Sequence, residues 1–239
     1  MRLFFLAVLT TTIFSSCHFF GGNRIHGNGN VTTQTRNVTN FKSIDASNAV
    51  NVIITQDSAF SVKVMVDENL QQYIEVYEKD GVLYIEQKDN TSLDYTGPMK
   101  VYVSAPLFEK LEASGASHIS GEQKITSAAT ISVDASGASD ISLDIKAPKT
   151  EAEATGASRI ILKGETKDLS IDGEGASSIR CFELLAENVD VDVSGASNAD
   201  VFASVDLKAE ASGASDVRYK GAANYVGNTS GAGSIKKVN

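Results

Sequence analysis

The chain has no tryptophan, two cysteines, three histidines and three prolines among its 239 residues. Without indole rings it lacks the usual paving of a glycosidase cleft. Two cysteines, Cys17 and Cys181, cannot build a disulfide framework. His18, His26 and His118 are scattered without ligand spacing, so neither a metal site nor a cofactor is expected. Positive charge is also short, with 21 Lys and Arg against 30 Asp and Glu, a net charge of −9. A chain that acidic does not neutralise phosphates, which argues against nucleic acid as a partner.

Long apolar runs are missing except at the N-terminus. Met1-Arg2 gives a positive start, and Leu3 to Ile13 is apolar apart from Thr10, Thr11 and Thr12. That run is shorter than the roughly 20 residues a bilayer span needs, and it fits a secretory signal core. The following Phe14-Ser15-Ser16-Cys17 resembles a bacterial lipobox, although Phe14 stands where an aliphatic residue is usual. The resemblance implies a signal peptide over residues 1–16, cleavage before Cys17, and lipid on the thiol and the new amine. The alternative is an ordinary signal peptide with an incidental cysteine. His18 stands where an Asp would resemble an inner-membrane retention signal, so the expected address is the outer membrane. Residues 17–30, rich in Gly and Asn, read as a flexible tether.

What the chain has in abundance is a repeat. Gly-Ala-Ser begins at Gly115, Gly137, Gly156, Gly175, Gly195 and Gly213, and a variant at Gly231 closes the series. The mean spacing is about 19 residues, a period that signals stacked repeats. Alternating apolar and polar residues lead into each turn, as in Val133-Asp134-Ala135-Ser136 and Val191-Asp192-Val193-Ser194. An apolar residue recurs after it, at Ile119, Ile141, Ile160, Ile179, Ala199 and Val217. Each repeat therefore reads as strand, glycine turn, strand. The alanine beside the glycine is expected to point inward at the corner. No apolar stripe of helical period survives, and the leucines of a leucine-rich repeat are absent. The expected fold is all-β, a parallel β-helix (solenoid) whose coils of about 19 residues cover a path of about 60 Å.

Regular coils are expected over 111–239, with less regular β coils over 31–110, the whole of 31–239 forming one continuous domain. Within the first part, Asp80-Gly81 marks a hairpin between Glu75–Lys79 and Val82–Gln87. Asp67 to Ile74 reads as one or two helical turns capped by Asp67. Ala46-Ser47-Asn48-Ala49-Val50 reads as a degenerate copy of the repeat.

The serial Ser-Gly-Ala-Ser turns, the Phe41-Lys42-Ser43-Ile44 opening, and the Asp67-Glu68-Asn69-Leu70 segment leading to the Asp80-Gly81 hairpin resemble the bacterial auto-transporter adhesin, head GIN domain family. The resemblance spans about Phe41 to Gly221. It implies a β-helix without catalytic residues, often lipid-anchored, with a role in adhesion.

Three places before each turn glycine stand Glu112, Asp134, Glu153, Asp172, Asp192 and Glu210. In stacked coils they form an acidic ladder, either a strip for Ca²⁺ or a basic partner, or simply a solvated face. A straight ladder offers an ion only two carboxylates per gap, so tight calcium binding is not expected. Six serines, from Ser117 to Ser215, cannot each have a catalytic base and read as turn-bonding groups. Asp140, Arg159, Lys163, Asp172 and Arg180 are the residues an enzymatic groove would draw on, but no spacing singles out a pair. Tyr73, Tyr77, Tyr84, Tyr95 and Tyr102 suit either a sugar-stacking patch or cross-strand packing. The sequence thus predicts a lipid-anchored, non-enzymatic envelope protein presenting a rigid surface to a glycan or protein. A polysaccharide-active enzyme and a calcium-stabilised module are the alternatives.

Overall fold

A computed structural model describes residues 23–239. The expected signal peptide and Cys17 lie outside the described residues. From Ser43 onward the chain winds into parallel coils, and equivalent side chains stack in register. One ladder runs Ile44, Leu111, Val133, Ala152, Ile171, Val191, Ala209, all fully or nearly fully buried. A second, after the turn, runs Val52, Ile119, Ile141, Ile160, Ile179, Ala199, Val217 and Ile235. A third side stacks Ile125, Ile145, Gly164 and Leu184. Strict inward–outward alternation puts every ladder into a single hydrophobic core. The expected parallel β-solenoid is the fold observed.

The corner glycines adopt positive φ from Gly115 to Gly231. The degenerate copy supplies the same corner with Asn48 at φ 60°, a residue type that tolerates this conformation, and Gly115 packs on its backbone. The alanines, expected inward, point out: Ala138, Ala157, Ala176, Ala196 and Ala214 are exposed. Positive φ at glycine shifts the alternation by one place, so the next residue, the serine, turns into the core. From Ala157 onward the alanine N–H instead donates to the glycine carbonyl of the preceding coil, at 2.7 Å for Ala157, Ala176, Ala196, Ala214 and Ala232.

The buried serines find backbone and one another. Ser158 Oγ donates to Ala135 O at 3.0 Å, Ser215 Oγ lies 2.8 Å from Ser212 O and 3.0 Å from Val193 O, and Ser177 and Ser197 pair at 3.1 Å. Ser139 Oγ is buried with no hydrogen-bond partner among the described residues. An unsatisfied buried hydroxyl costs free energy, and a satisfied one contributes about 1 kcal/mol. Ser139→Ala is therefore expected to leave urea stability unchanged or raise it by up to about 1 kcal/mol. Ser215→Ala, which removes one O–H donation shared between two carbonyls, is expected to lower it by about 1 kcal/mol. Equal losses at both positions would contradict this assignment.

At the N-terminal end the column turns antiparallel. Val82–Gln87 continues the first ladder beyond Ser43–Ser47 and folds back on Ile74–Lys79 through the Asp80-Gly81 turn. Lys100–Ala105 continues the second beyond Asn51–Gln56, followed by antiparallel Ser61–Asp67 and Val31–Arg36. At the other end Asn224–Thr229 and Ser234–Lys237 form the last coil, with Lys236 and Lys237 exposed on its edge.

Two expectations are corrected here. Glu68–Tyr73 is a 3₁₀ helix, but Asp67 makes no side-chain cap. Its carboxylate, 1% exposed, accepts from Gly29 N at 3.0 Å, from Thr96 N at 3.0 Å and from Thr96 Oγ1. The second half of the expected tether is bound to the domain. Asn23–His26 pairs in parallel with Thr91–Asp94, Asn28 N donates to Asn69 Oδ1 at 2.9 Å, and Asn69 Nδ2 donates to His26 O at 2.8 Å. Asn and Gly here supply backbone polar groups to a clasp rather than conformational freedom.

Candidate functional surface

The outward residues of the pre-turn strands are placed by the same register that builds the core. Glu112, Asp134, Glu153, Asp172, Asp192 and Glu210 stack one per coil. The structure lengthens the column at both ends, with Asp45 and Tyr84 beyond Glu112 and Asn228 after Glu210. Cations sit near its two ends. Lys110 Nζ lies 3.0 Å from Glu112 and 2.9 Å from Asp134, and Lys208 Nζ lies 3.5 Å from both Asp190 and Glu210. Glu153 and Asp172, in the middle, have no ion pair among the described residues.

Crowding shows in the titration. Burial, then the Asp134 and Asp172 charges, hold the Glu153 carboxyl above its ordinary value. Burial, then Asp172 and Glu210, do the same at Asp192, and burial, then Glu112 and Glu86, at Asp45. Groups raised in the folded state contribute stability that is complete below their unfolded pKa, about 4, and lost as pH rises through the folded values. Asp67 runs the other way. Hydrogen bonds from Thr96 lower its pKa, so its contribution is present above about 4 and lost as pH falls further. The melting temperature is thus expected to rise as pH falls through the raised carboxyl values towards about 4, then to fall in stronger acid. At pH 7, salt is expected to raise it by screening the ladder. A melting profile that is flat or declining as pH falls towards about 4 contradicts the repulsive ladder.

No group of three or more His, Cys, Asp or Glu among the described residues has metal-binding geometry. Of the enzymatic candidates, Asp140, Arg159, Lys163 and Arg180 face outward from the post-turn strands of neighbouring coils, and Asp172 lies apart from them. Asp140 and Arg159 pair across neighbouring coils at 3.3 Å, whereas Asp172 belongs to the acidic column on the strand before the turn. The repeat serines face the core and are inaccessible to a substrate. Cys181 is buried, and burial pushes its thiol up to about 12, so it behaves as a small apolar core residue. Tyr77 and Tyr84 stand directly opposite in the hairpin, rings stacked with centroids 5.1 Å apart, while Tyr102 lies on the other side of the coil. Tyr77 and Tyr84 therefore pack across strands, and Tyr102 is not part of their pair.

Residues 40–223 match the family described as "putative auto-transporter adhesin, head GIN domain". The chain belongs to this family. Among solved structures, this GIN domain resembles a "putative adhesin" from Bacteroides fragilis with TM-score 0.83 and 20% identity, over 90% of this chain and 100% of that one. A "putative lipid binding protein" from Parabacteroides distasonis aligns with TM-score 0.72 and 22% identity, again over 90% and 100%. A "putative adhesin" from Parabacteroides merdae gives TM-score 0.71 and 21% identity, over 90% and 99%. At these identities the likeness is one of fold. No curated protein matches the chain. Membership of an adhesin family indicates a protein of the cell envelope or surface.

Sequence reasoning missed the outward column after the turn. There Arg180, Asp200, Arg218 and Lys236 stack one per coil. The residues vary in type from coil to coil, so no repeated letter flags them. The available signal was positional, the same count from each glycine.

Proposed function

We propose that this GIN domain is a lipid-anchored, non-enzymatic outer-membrane protein whose column presents a rigid surface for adhesion or other envelope contacts. The observation that carries the reading is the arrangement of polar side chains. They lie in straight outward ladders, one per coil, and of the candidate catalytic groups Asp172 lies on a different side from Asp140, Arg159, Lys163 and Arg180. Adhesin-family membership supports it, as do the Phe14-Ser15-Ser16-Cys17 segment and the early apolar run.

The clasp over His26 to Asn30 adds a geometric consequence. Between a lipid on Cys17 and the first described strand lie only residues 18–22, which reach at most about 20 Å when extended. An anchored domain is held close to its bilayer by the antiparallel end of the column. The coils project from there.

Each buried methylene adds about 0.8 kcal/mol to membrane attachment, so several acyl chains anchor almost irreversibly. Cys17→Ser is expected to move the protein completely from the membrane fraction to the soluble fraction and to abolish labelling by radioactive palmitate. Surface display is read by protease treatment of intact cells. Loss of the protein supports adhesion; persistence until the outer membrane is opened leaves an envelope scaffold facing the periplasm.

A further inference from the structure

The outward column after the turn ends in a cluster of cations that the proposed function does not use. Arg180, Arg218 and Lys236 line a cleft of about 390 Å³ together with Ser178, Asn198 and Ser234. Arg218 is fixed there. Its Nε and Nη2 each donate to Asp200 at 2.7 Å, and the Asp200 side chain is only 10% exposed. The guanidinium keeps its remaining N–H groups free to face outward. Arg180 and Lys236 are exposed, and neither is in an ion pair among the described residues. Asp216, the other acid in the cleft, accepts from Ser234 Oγ. Beside the cleft the chain bulges between Cys181 and Leu185, where Phe182 is half-buried. Lys220 Nζ and Arg218 Cζ stand 5.0 and 5.7 Å from that ring's centroid. The result is a strip of three cations and two acids beside an aromatic ring, one net positive charge on a protein whose net charge is −9.

We propose that this strip binds an acidic polysaccharide lying along the column, its uronate carboxylates on Arg180, Arg218 and Lys236 and a sugar face against Phe182. Coil spacing of about 4.8 Å sets the cations about 5 and 10 Å apart in a line, a pattern for a chain with repeated charges. Planar guanidinium groups suit planar carboxylates, which they can hold by two parallel bonds. In the adjoining column Ser178, Asn198 and Ser234 suit sugar hydroxyls, while Asp200 stands between Arg180 and Arg218. An anionic lipid headgroup shares part of this chemistry. The strip, however, begins about five coils, roughly 25 Å, from the antiparallel end that the anchor holds near the bilayer. That distance from the membrane rests on the proposed anchoring; the geometry of the strip does not.

The test uses the full chain carrying Cys17→Ser, with alginate and polygalacturonate as probes, dextran as the neutral control, and phosphatidylglycerol vesicles. Uronate polymers are expected to bind, dextran not, with affinity falling as salt rises. The double variant Arg180→Gln/Lys236→Gln is expected to lose at least tenfold in affinity with an unchanged melting temperature, and Phe182→Ala to lose several-fold. Binding unaffected by these variants, absence of uronate binding, or binding to the vesicles alone overturns the proposal. These measurements are made in solution, so a failed surface-display experiment leaves them readable and a failed binding assay leaves the display result standing.

Discussion

Gly195→Ala is expected to cost about 3–5 kcal/mol of stability and to split the unfolding transition. Gly195 sits at φ +77°, where an L side chain is strained by about 1–2 kcal/mol. The close approach of the preceding coil costs more than this strain. A Cβ on Gly195 would lie 2.6 Å from Gly175 O, which already accepts the Ala196 N–H at 2.7 Å. Relieving that contact means separating the two coils at the corner and losing the bond. Gly81→Ala is the control, because it too has a positive φ, +81°, but has nothing within 4 Å of its Cβ. Its loss is expected to stay near 1–2 kcal/mol. Gly231→Ala would meet Gly213 O at 2.8 Å, yet it lies in the final coil, where fraying relieves the clash at the expense of one interface. Urea unfolding of the three variants separates dihedral strain, coil contact and position. Equal losses at Gly81 and Gly195 would mean that the carbonyl contact contributes nothing.

The same corner explains how much of the fold was legible. A glycine every 19 or so residues, flanked by alternation, encodes the column directly, because each coil repeats the local rule and its neighbour lies at a constant sequence distance. The acidic ladder follows from register alone. The orientation of Ala and Ser was not legible, since it depends on how φ at one glycine shifts the alternation. The N-terminal clasp was illegible for a different reason. Gly29 and Thr96 meet at Asp67 from 38 residues before it and 29 after, and no period links them. Asp67 also imitates a helix cap in sequence, because an acid before Glu68-Asn69-Leu70 satisfies the local pattern whichever donors it finally binds. The cationic strip was hidden by its variety. Arg180, Asp200, Arg218 and Lys236 share a position but not a residue type, and Phe182 enters only because one coil carries a bulge.

Asp67→Ala tests the clasp, and its effect is expected to be both large and local. The buried carboxylate is the acceptor for Gly29 N, Thr96 N and Thr96 Oγ1. Removing it breaks three hydrogen bonds to a charged acceptor, and because Gly29 and Thr96 are exposed, water replaces part of them, so the total loss is expected near about 2–4 kcal/mol. Asp67→Asn keeps the shape but places an amide N–H₂ against a donor, so about 2–3 kcal/mol is expected there. Gly27 shows how tight the site is, since a Cβ at that position would fall 2.4 Å from the Asp67 carboxyl carbon. The regular coils beyond Leu111 share no hydrogen bond with this site, so their amide protection is expected to persist while Asn28 and Gly29 exchange freely. Acid sensitivity supplies the sign. In the parent chain Asp67 stabilises above about pH 4 and ceases to do so as pH falls through its lowered value. The Asn variant, already without that contribution at neutral pH, is expected to lose less on acidification than the parent. An Asp67→Asn chain with undiminished acid sensitivity and unchanged exchange at Gly29 would remove Asp67 from the clasp. The N-terminal strand would then owe its place to the Thr91–Asp94 pairing and the Asn69 hydrogen bonds.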